Sequence, residues 1–325
     1  MTAQEHRCGT IAIIGRPNVG KSTLLNRLLG EKIAIVSPKS ETTRERLLGV
    51  LTLPGAQFLF LDTPGIYQGP VTLLAKHQVQ AAREALAEAD LILFMTEAQA
   101  GFTDEDKRII RLFSKKEGRI SAFLAINKVD RVDKSLILPH IAEASRLYPF
   151  KEIFPISATT GTNVDDLLKA MTNSLPPGPA HYPPDQITDR PMRTQAQELI
   201  RERVLLFTHE EIPHSVAVLV EEWRMGQPSA RLAAGTLEVQ DDVPPDTQEK
   251  KPPATYIRAT IYVERDSQKG ILIGKHGGLL KKIGKAARIE IEKMLEGPVF
   301  LDLWVKVAKN WRKDPVMLKR FGYSG

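Results

Sequence analysis

Residues 15–22, GRPNVGKS, fit the pattern G-x-x-x-x-G-K-[S/T] and lie between an apolar β-rich run and an amphipathic helical run. In this pattern the two glycines let the backbone wrap so tightly that successive N–H groups point at one anion. We therefore predict a strand over residues 10–15, a phosphate-binding turn, and a helix that ends at Gly30. A strand that feeds a helix in this way is typical of a mostly parallel α/β sheet.

Apolar β-rich runs alternate with helical runs as far as residue 174, which indicates right-handed β–α–β crossovers in one sheet. Ligands of such sheets bind at the carboxyl ends of the strands, so motifs at those positions are the most informative. The predicted strands cover residues 10–15, 56–65, 91–95, 121–128 and 152–158, and the predicted helices cover residues 21–30, 73–90, 104–116, 135–148 and 163–175.

Residues 175–192 contain six prolines and predict a linker between two domains. The first domain then covers residues 1–174, and a smaller α+β domain covers residues 193–325. In the second domain we predict a helix, two strands, a glycine-rich segment, a long helix, a third strand and a short helix, in that order. Residues 225–254 separate its first two strands and predict a long loop.

The composition excludes several classes of protein. No apolar run reaches about 18 residues and residues 1–15 do not look like a signal peptide, so we expect a cytoplasmic protein with no membrane-spanning helix. A single cysteine, Cys8, excludes an internal disulfide and a cysteine-based zinc cluster. The net charge of +6 is uneven, because residues 251–325 carry 16 Lys and Arg against 7 Asp and Glu, and the rest carries 29 against 32. A basic module on a near-neutral body suggests a polyanionic partner.

The phosphate turn, residues 15–22, and the sequence DTPG predict two halves of a phosphate and metal site. Lys21 places a cation across two neighbouring phosphates, and the Ser22 hydroxyl is a ligand for Mg²⁺. Asp62 ends the next predicted strand, where it can hold Mg²⁺ through water, and the Gly65 N–H can sense a terminal phosphate. The candidate nucleotide-binding residues here are Gly15, Arg16, Pro17, Asn18, Val19, Gly20, Lys21, Ser22, Thr23, Asp62, Thr63, Pro64 and Gly65.

The sequences NKVD and SAT end two further predicted strands and indicate a purine-base site. Guanine presents two neighbouring N–H donors that the Asp130 carboxylate can accept as a pair, whereas adenine would leave it poorly paired, which disfavours an ATPase. The aliphatic stem of Lys128 can cover the base, Asn127 can tie its loop to the base, and the Ala158 N–H can donate to guanine O6. The candidate base-site residues are Asn127, Lys128, Asp130, Ser157, Ala158 and Thr159.

These motifs, together with SETTRER, resemble the five nucleotide motifs of the small G-protein-like GTPases of the translation-factor class, over residues 10–172. The resemblance implies guanine nucleotide as ligand, Mg²⁺ as cofactor, and switch loops around residues 35–48 and 64–80. It also implies a switch threonine that completes the Mg²⁺ site, and the sequence leaves Thr42 and Thr43 open. The candidate metal ligands are Ser22, Thr42, Thr43 and Asp62.

Many members of this class have a glutamine after DTPG that orients the attacking water, but this chain has Ile66, whose hydrocarbon side chain cannot bond water. A related potassium-dependent group has an asparagine where Asn18 stands, and that asparagine helps to coordinate K⁺. The resemblance thus implies slow GTP hydrolysis, faster in K⁺ than in Na⁺; the alternative role for Asn18 is to cap the backbone of a turn. The candidate catalytic residues are Lys21, Asn18, Thr42, Thr43 and Gly65.

The sequence GKHG, residues 274–277, opens the long helix of the second domain. A KH domain of the bacterial type (type II) has its nucleic-acid clamp at this point, because bare backbone lets a sugar-phosphate chain approach while the middle pair points at phosphates. The helix that follows has one apolar face and one lysine-rich face, and the alternative interpretation is a solvated lysine face on a packing helix. The candidate RNA-binding residues are Gly274, Lys275, His276, Gly277, Lys281, Lys282 and Lys285.

A GTPase domain followed by a KH domain resembles the bacterial Era family over nearly the whole chain, and YPPDQITDRP and IYVERDSQKGILIGKHG look like segments peculiar to it. The resemblance implies binding to the 3′ end of 16S ribosomal RNA (rRNA), a role in assembly of the 30S ribosomal subunit, and loose association with the inner membrane surface. We also expect a monomer. The alternative is a regulatory GTPase whose KH-like module is a scaffold that binds a protein or a membrane.

Overall fold

The structure, a computed structural model, describes residues 5–39, 42–65, 73–114, 120–225 and 254–322. The chain divides into two compact units, one formed by residues 1–190 and 312–325 and the other by residues 191–311. The predicted loop at residues 225–254 therefore lies outside the described residues except for its two end positions. Ile66 lies outside them as well.

The first unit is built on a six-stranded sheet with strand order β2-β3-β1-β4-β5-β6. Every neighbouring pair is parallel except β2 and β3, so the prediction of a mostly parallel sheet is confirmed. The elements are β1 (Arg7–Gly15), α1 (Lys21–Leu29), β2 (Leu47–Leu53), β3 (Ala56–Asp62), α2 (Leu73–Glu88), β4 (Leu91–Glu97), α3 (Asp104–Ser114), β5 (Ser121–Asn127), α4 (Ile137–Leu147), β6 (Glu152–Pro155) and α5 (Val164–Ser174).

Strand β2 was not predicted. It precedes Pro54 and Gly55, which form a two-residue turn into β3, and its antiparallel register pairs Leu53 with Ala56. The sequence does contain this signal, because an apolar run on each side of a Pro-Gly turn is typical of a hairpin.

The central strand β1 is buried on both faces. Ile11 and Ile13 belong to one apolar cluster, and Ala12 and Ile14 belong to a second cluster on the opposite face. Helices cover both faces of parallel sheets of this kind, and the strands therefore read as continuous apolar runs. The sheet is thus held from two sides, and the carboxyl ends of β1, β3, β4 and β5 meet along one edge.

The predicted linker is bonded to the first unit. Buried Gln57 on β3 accepts from the N–H groups of His181 and Tyr182, at 2.7 and 3.0 Å. The Val50 N–H donates to the Ile187 carbonyl at 2.8 Å. A proline-rich segment cannot pair as a regular strand, so side-chain bonds such as those of Gln57 hold it in place.

The second unit contains a three-stranded sheet with order β7-β8-β9, in which β7 and β8 are antiparallel and β8 and β9 parallel. The predicted elements occur in the predicted order, together with two helices that were not predicted: a short one over Ile212–Ser215, where the first strand was predicted to begin, and one over Asp266–Ile273, where the glycine-rich segment begins. They are α6 (Met192–Phe207), α7 (Ile212–Ser215), β7 (Ala217–Arg224), β8 (Thr255–Val263), α8 (Asp266–Ile273), α9 (Gly278–Leu295) and β9 (Val299–Val307), and α10 (Pro315–Arg320) follows in the residues grouped with the first unit.

None of the helices within the described ranges is both long and apolar enough to cross a bilayer.

Candidate nucleotide-binding and RNA-binding sites

The phosphate turn connects β1 to α1 as predicted. Gly20 adopts φ 105°, a left-handed conformation that L side chains rarely adopt, and a Cβ there would collide with the Asn127 side-chain nitrogen. Glycine is therefore required at this position by both conformation and space.

Lys21 is buried beneath this turn. Its Nζ donates to the carbonyls of Gly15, at 3.0 Å, and Arg16, at 2.9 Å. Burial lowers the pKa of Lys21 to about 8, and the neighbouring Asp62 carboxylate opposes that shift. An anion bound in the turn would add the negative charge that this buried ammonium lacks.

Three of the predicted metal ligands lie together. The Ser22 hydroxyl donates to Asp62 Oδ2 at 2.7 Å and lies 2.9 Å from the Thr43 hydroxyl, which is 3.4 Å from the same carboxylate oxygen. The other carboxylate oxygen, Oδ1, is buried and has no hydrogen-bond partner among the described residues. Burial raises the pKa of Asp62, whereas Lys21 lowers it.

This oxygen-rich set fits Mg²⁺. The ion prefers oxygen ligands and needs few of them from protein, and the unpaired Asp62 oxygen is what a cation would satisfy. The Thr42 hydroxyl instead donates to the Lys39 carbonyl at 2.7 Å. Of the two threonines that the sequence left open, the structure brings Thr43 to the site.

The remaining phosphate-site residues hold neighbouring loops in place. Arg16 Nε donates to both carboxylate oxygens of Asp106, at 2.9 Å each, and Asp106 is fully buried at the start of α3. Asn18 Nδ2 donates to the Pro38 carbonyl at 3.0 Å. Gly65 lies so close to Pro17 that an added Cβ would be 2.6 Å from its nitrogen. Val19, Thr63 and Pro64 are buried, and Thr23 is partly buried.

Asn127 connects the phosphate turn to the base site. Its side-chain nitrogen donates to the Val19 carbonyl at 2.7 Å, and its side-chain oxygen accepts from the Ala158 N–H at 2.9 Å. The Asn127 amide therefore lies between the two loops and bonds to both of them. Donation of the Ala158 N–H to guanine O6 stays a prediction, and it would require this N–H to leave or share its bond to Asn127.

The base loop, residues 157–161, is held by groups that the sequence analysis did not single out. Arg27 Nε on α1 donates to the Ala158 carbonyl at 2.6 Å, and its Nη2 donates to the Thr159 carbonyl. Ser157 is buried and Thr159 exposed. No pattern predicts the Arg27 contact, because 131 positions separate it from Ala158.

The other two candidate residues of NKVD, Lys128 and Asp130, lie in a short turn after β5. Lys128 has φ 65°, and its Nζ lies 3.1 Å from Glu97 Oε1 at the end of β4. The Asp130 carboxylate follows in the turn, 3.8 Å from Arg131 Nε. Asp130 thus follows the carboxyl end of β5, at the edge of the sheet where the phosphate turn also lies, and its contact with a base stays a prediction.

The clamp, residues 274–277, separates α8 from α9. Gly274 has φ 70°, and a Cβ there would be 2.9 Å from the Leu279 Cβ, so close approach to α9 requires glycine. His276 and Gly277 also have positive φ, at 52° and 74°. The side chains of Lys275 and His276 are exposed. The clamp is therefore a sharp turn in which the two glycines leave the backbone without side chains and the polar side chains of Lys275 and His276 face solvent.

Helix α9 has the two faces that were predicted. Ile283, Ala287 and Ile291 are buried, whereas the lysines of the opposite face are exposed. Lys282 Nζ lies 4.5 Å from the centre of the Phe207 ring on α6, a cation–π contact. The exposed basic residues are Lys281, Lys282, Lys285 and Arg288.

Comparison with known proteins identifies the families to which the two parts of the chain are similar. A family profile described as a 50S ribosome-binding GTPase matches residues 10–128, and a KH-domain profile matches residues 247–312. GTPase Era of Geobacter metallireducens is 45% identical over 324 residues, which cover 100% of both chains. The chain belongs to the Era family of GTPases. GTPase Era of Lacticaseibacillus paracasei is 46% identical over 320 residues, 98% of each chain.

Two solved Era structures have the same architecture. Era in complex with MgGDPNP and nucleotides 1506–1542 of 16S ribosomal RNA matches with a TM-score of 0.87 and 41% identity, over 98% of this chain and 100% of that one. A singly substituted Era of Aquifex aeolicus, bound to GDP and AlF4⁻, matches with the same TM-score, identity and coverage. The Era-family resemblance and the two-part fold are therefore confirmed.

Proposed function

We propose that this Era-family GTPase binds GTP with Mg²⁺ at the edge of its six-stranded sheet and binds the 3′ end of 16S rRNA through its KH domain during 30S subunit assembly. The proposal rests mainly on the hydrogen bonds that join the separate nucleotide motifs in the first unit: Ser22 to Asp62, and Asn127 to both Val19 and Ala158. The second unit has an intact GKHG clamp. The solved Era complex with 16S nucleotides supports the choice of RNA.

The chain's residues have separate parts in hydrolysis. Backbone N–H groups of the phosphate turn and Lys21 bind the phosphates, and Ser22, Thr43 and Asp62 would hold Mg²⁺. When bound, Mg²⁺ supplies positive charge to the phosphate oxygens. Gly65 lies against Pro17 of the phosphate turn, which supports the proposal that its N–H bonds the γ-phosphate. Asp130 and Lys128 bind and cover the base.

Thr43 is the switch threonine in this proposal. We expect Thr43→Ala to raise the Mg²⁺ concentration needed for half-maximal GTP hydrolysis about tenfold, because it removes a hydroxyl ligand beside Ser22 and Asp62. Thr42→Ala is the matched control, since the Thr42 hydroxyl donates to the Lys39 carbonyl. A Mg²⁺ titration of both variants checks the assignment, and a larger shift in Thr42→Ala would reverse it.

Asn18 is the proposed K⁺ ligand. Its Nδ2 is held by the Pro38 carbonyl, which leaves the side-chain oxygen as an available cation ligand. We expect several-fold faster hydrolysis in K⁺ than in Na⁺, and a smaller ratio in Asn18→Asp, which loses the bond to Pro38. Asn163→Asp is the control, because Asn163 also has positive φ and donates to a proline carbonyl, Pro155. An unchanged ratio in Asn18→Asp contradicts the proposal.

Crosslinking in cells tests the RNA partner. The protein is captured in GTP-locked and GDP-bound forms, and the attached RNA is sequenced. We expect the reads to concentrate at the 3′ end of 16S rRNA, and reads spread evenly over cellular RNA would contradict the proposal.

We further propose a cytoplasmic monomer with peripheral contact to the inner membrane surface, which sedimentation with and without lipid vesicles would check.

A further inference from the structure

Arg27, in the last turn of α1, bonds to the base loop. Its Nε donates to the Ala158 carbonyl at 2.6 Å and its Nη2 donates to the Thr159 carbonyl. A Cβ on Gly161 would lie 2.8 Å from Arg27 Nη1, so the loop leaves space for the guanidinium. Among the described residues no carboxylate forms an ion pair with Arg27, so its guanidinium interacts with these two carbonyls instead.

The same peptide segment is bonded on its other side. The Ala158 N–H donates to Asn127 Oδ1, and the Asn127 amide in turn donates to the Val19 carbonyl of the phosphate turn. The N–H of Ala158 is therefore fixed from β5 while its carbonyl is fixed from α1. Two groups that bond the same residue from separate elements restrict both its position and its rotation.

Helix α1 has a role at both of its ends. Lys21 and Ser22 begin the helix at the phosphate and metal site, and Arg27 lies in its last turn at the base loop. The helix is short and its inner face, with Leu24, Leu25 and Leu28, is buried. One rigid element therefore sets the distance between the groups that bind phosphates and the loop that faces the base.

We infer that Arg27 is a positioning residue for recognition of 6-oxopurine bases such as guanine. It holds residues 158 and 159 in place through their carbonyls, so that the base loop keeps the position from which it faces the O6 atom of the base. Arginine suits this task better than lysine, because its planar fork can donate to two carbonyls at once. The inference rests on the proposed guanine-nucleotide function.

Dissociation constants for GDP and IDP test this role in the full-length protein. We expect Arg27→Ala to weaken both nucleotides about tenfold and by equal factors, because hypoxanthine and guanine share O6. The KM for GTP should rise by a similar factor while kcat changes less than about twofold, since Arg27 is remote from the γ-phosphate. Arg27→Lys keeps the charge and can make one bond, so its affinity should be intermediate.

Arg146→Ala is the matched control. Arg146 is an exposed arginine in the last turn of α4, so its loss also removes a cation from a helix C-terminus. Circular dichroism of each nucleotide-free variant checks that it is folded at the assay temperature. Affinities within about twofold of wild type in Arg27→Ala, or an equal loss in Arg146→Ala, overturn the inference. A wild-type protein that fails to bind GDP would instead overturn the proposed function.

Discussion

Replacing Lys275 and His276 together with aspartate is expected to weaken binding of the 16S 3′-end RNA by roughly a hundredfold or more, because two side chains that we propose to face RNA phosphates become anions. Both side chains are exposed on the clamp, and His276 has φ 52°, a conformation that aspartate tolerates. The glycines that shape the turn remain in place. Fluorescence anisotropy with a labelled single-stranded RNA measures the change.

A control variant separates this site-specific effect from a change in net charge. The double variant Lys293→Asp, Lys309→Asp removes at least as much positive charge as the clamp variant does, and both lysines are exposed residues of the same unit. Lys293 lies in the last turn of α9, at the end of the helix opposite the clamp. We expect it to weaken RNA binding only slightly at moderate salt. RNA affinity that survives in the clamp variant would favour the alternative of a protein-binding or membrane-binding scaffold.

Much of this architecture could be predicted because the motifs end strands. Asp62 and Asn127 close β3 and β5, and parallel strands bring their carboxyl ends to one edge, so motif order alone places them together. The clamp and the two faces of α9 follow equally from local pattern. Glycine at 274 is required by a close contact with Leu279, five residues along the chain.

What could not be predicted depends on contacts between distant residues. The pairing of Arg16 with Asp106 joins positions 90 residues apart, and Gln57 holds a linker more than 120 residues away. The choice of Thr43 over Thr42 depends on which hydroxyl the switch backbone turns toward Asp62. Adjacent identical side chains have the same pattern in sequence, so only the structure separates them.

Asp130→Asn is expected to change the preferred base from guanine to xanthine. Guanine offers N–H donors at N1 and at its 2-amino group, and a carboxylate accepts both. Xanthine keeps the N1 donor but has a carbonyl at position 2, so an amide that accepts at one atom and donates at the other matches it. Each mismatched hydrogen bond to a charged group costs about 1.5–3 kcal/mol, so the GDP-to-XDP affinity ratio should fall by roughly a thousandfold.

The neighbouring Asp133 supplies the control for that substitution. Its carboxylate accepts from the Ser135 N–H at 2.8 Å and it is exposed, so Asp133→Asn makes the same chemical change six residues after Asn127 without facing the base. Competition binding with GDP and XDP should show a reversed preference only in Asp130→Asn. An unchanged guanine preference would mean that Asp130 does not recognise the base.

Asp130 is expected to act at position 2 of the base, whereas Arg27 is expected to act through the loop that faces O6. Arg27→Ala should therefore leave the GDP-to-XDP affinity ratio unaltered.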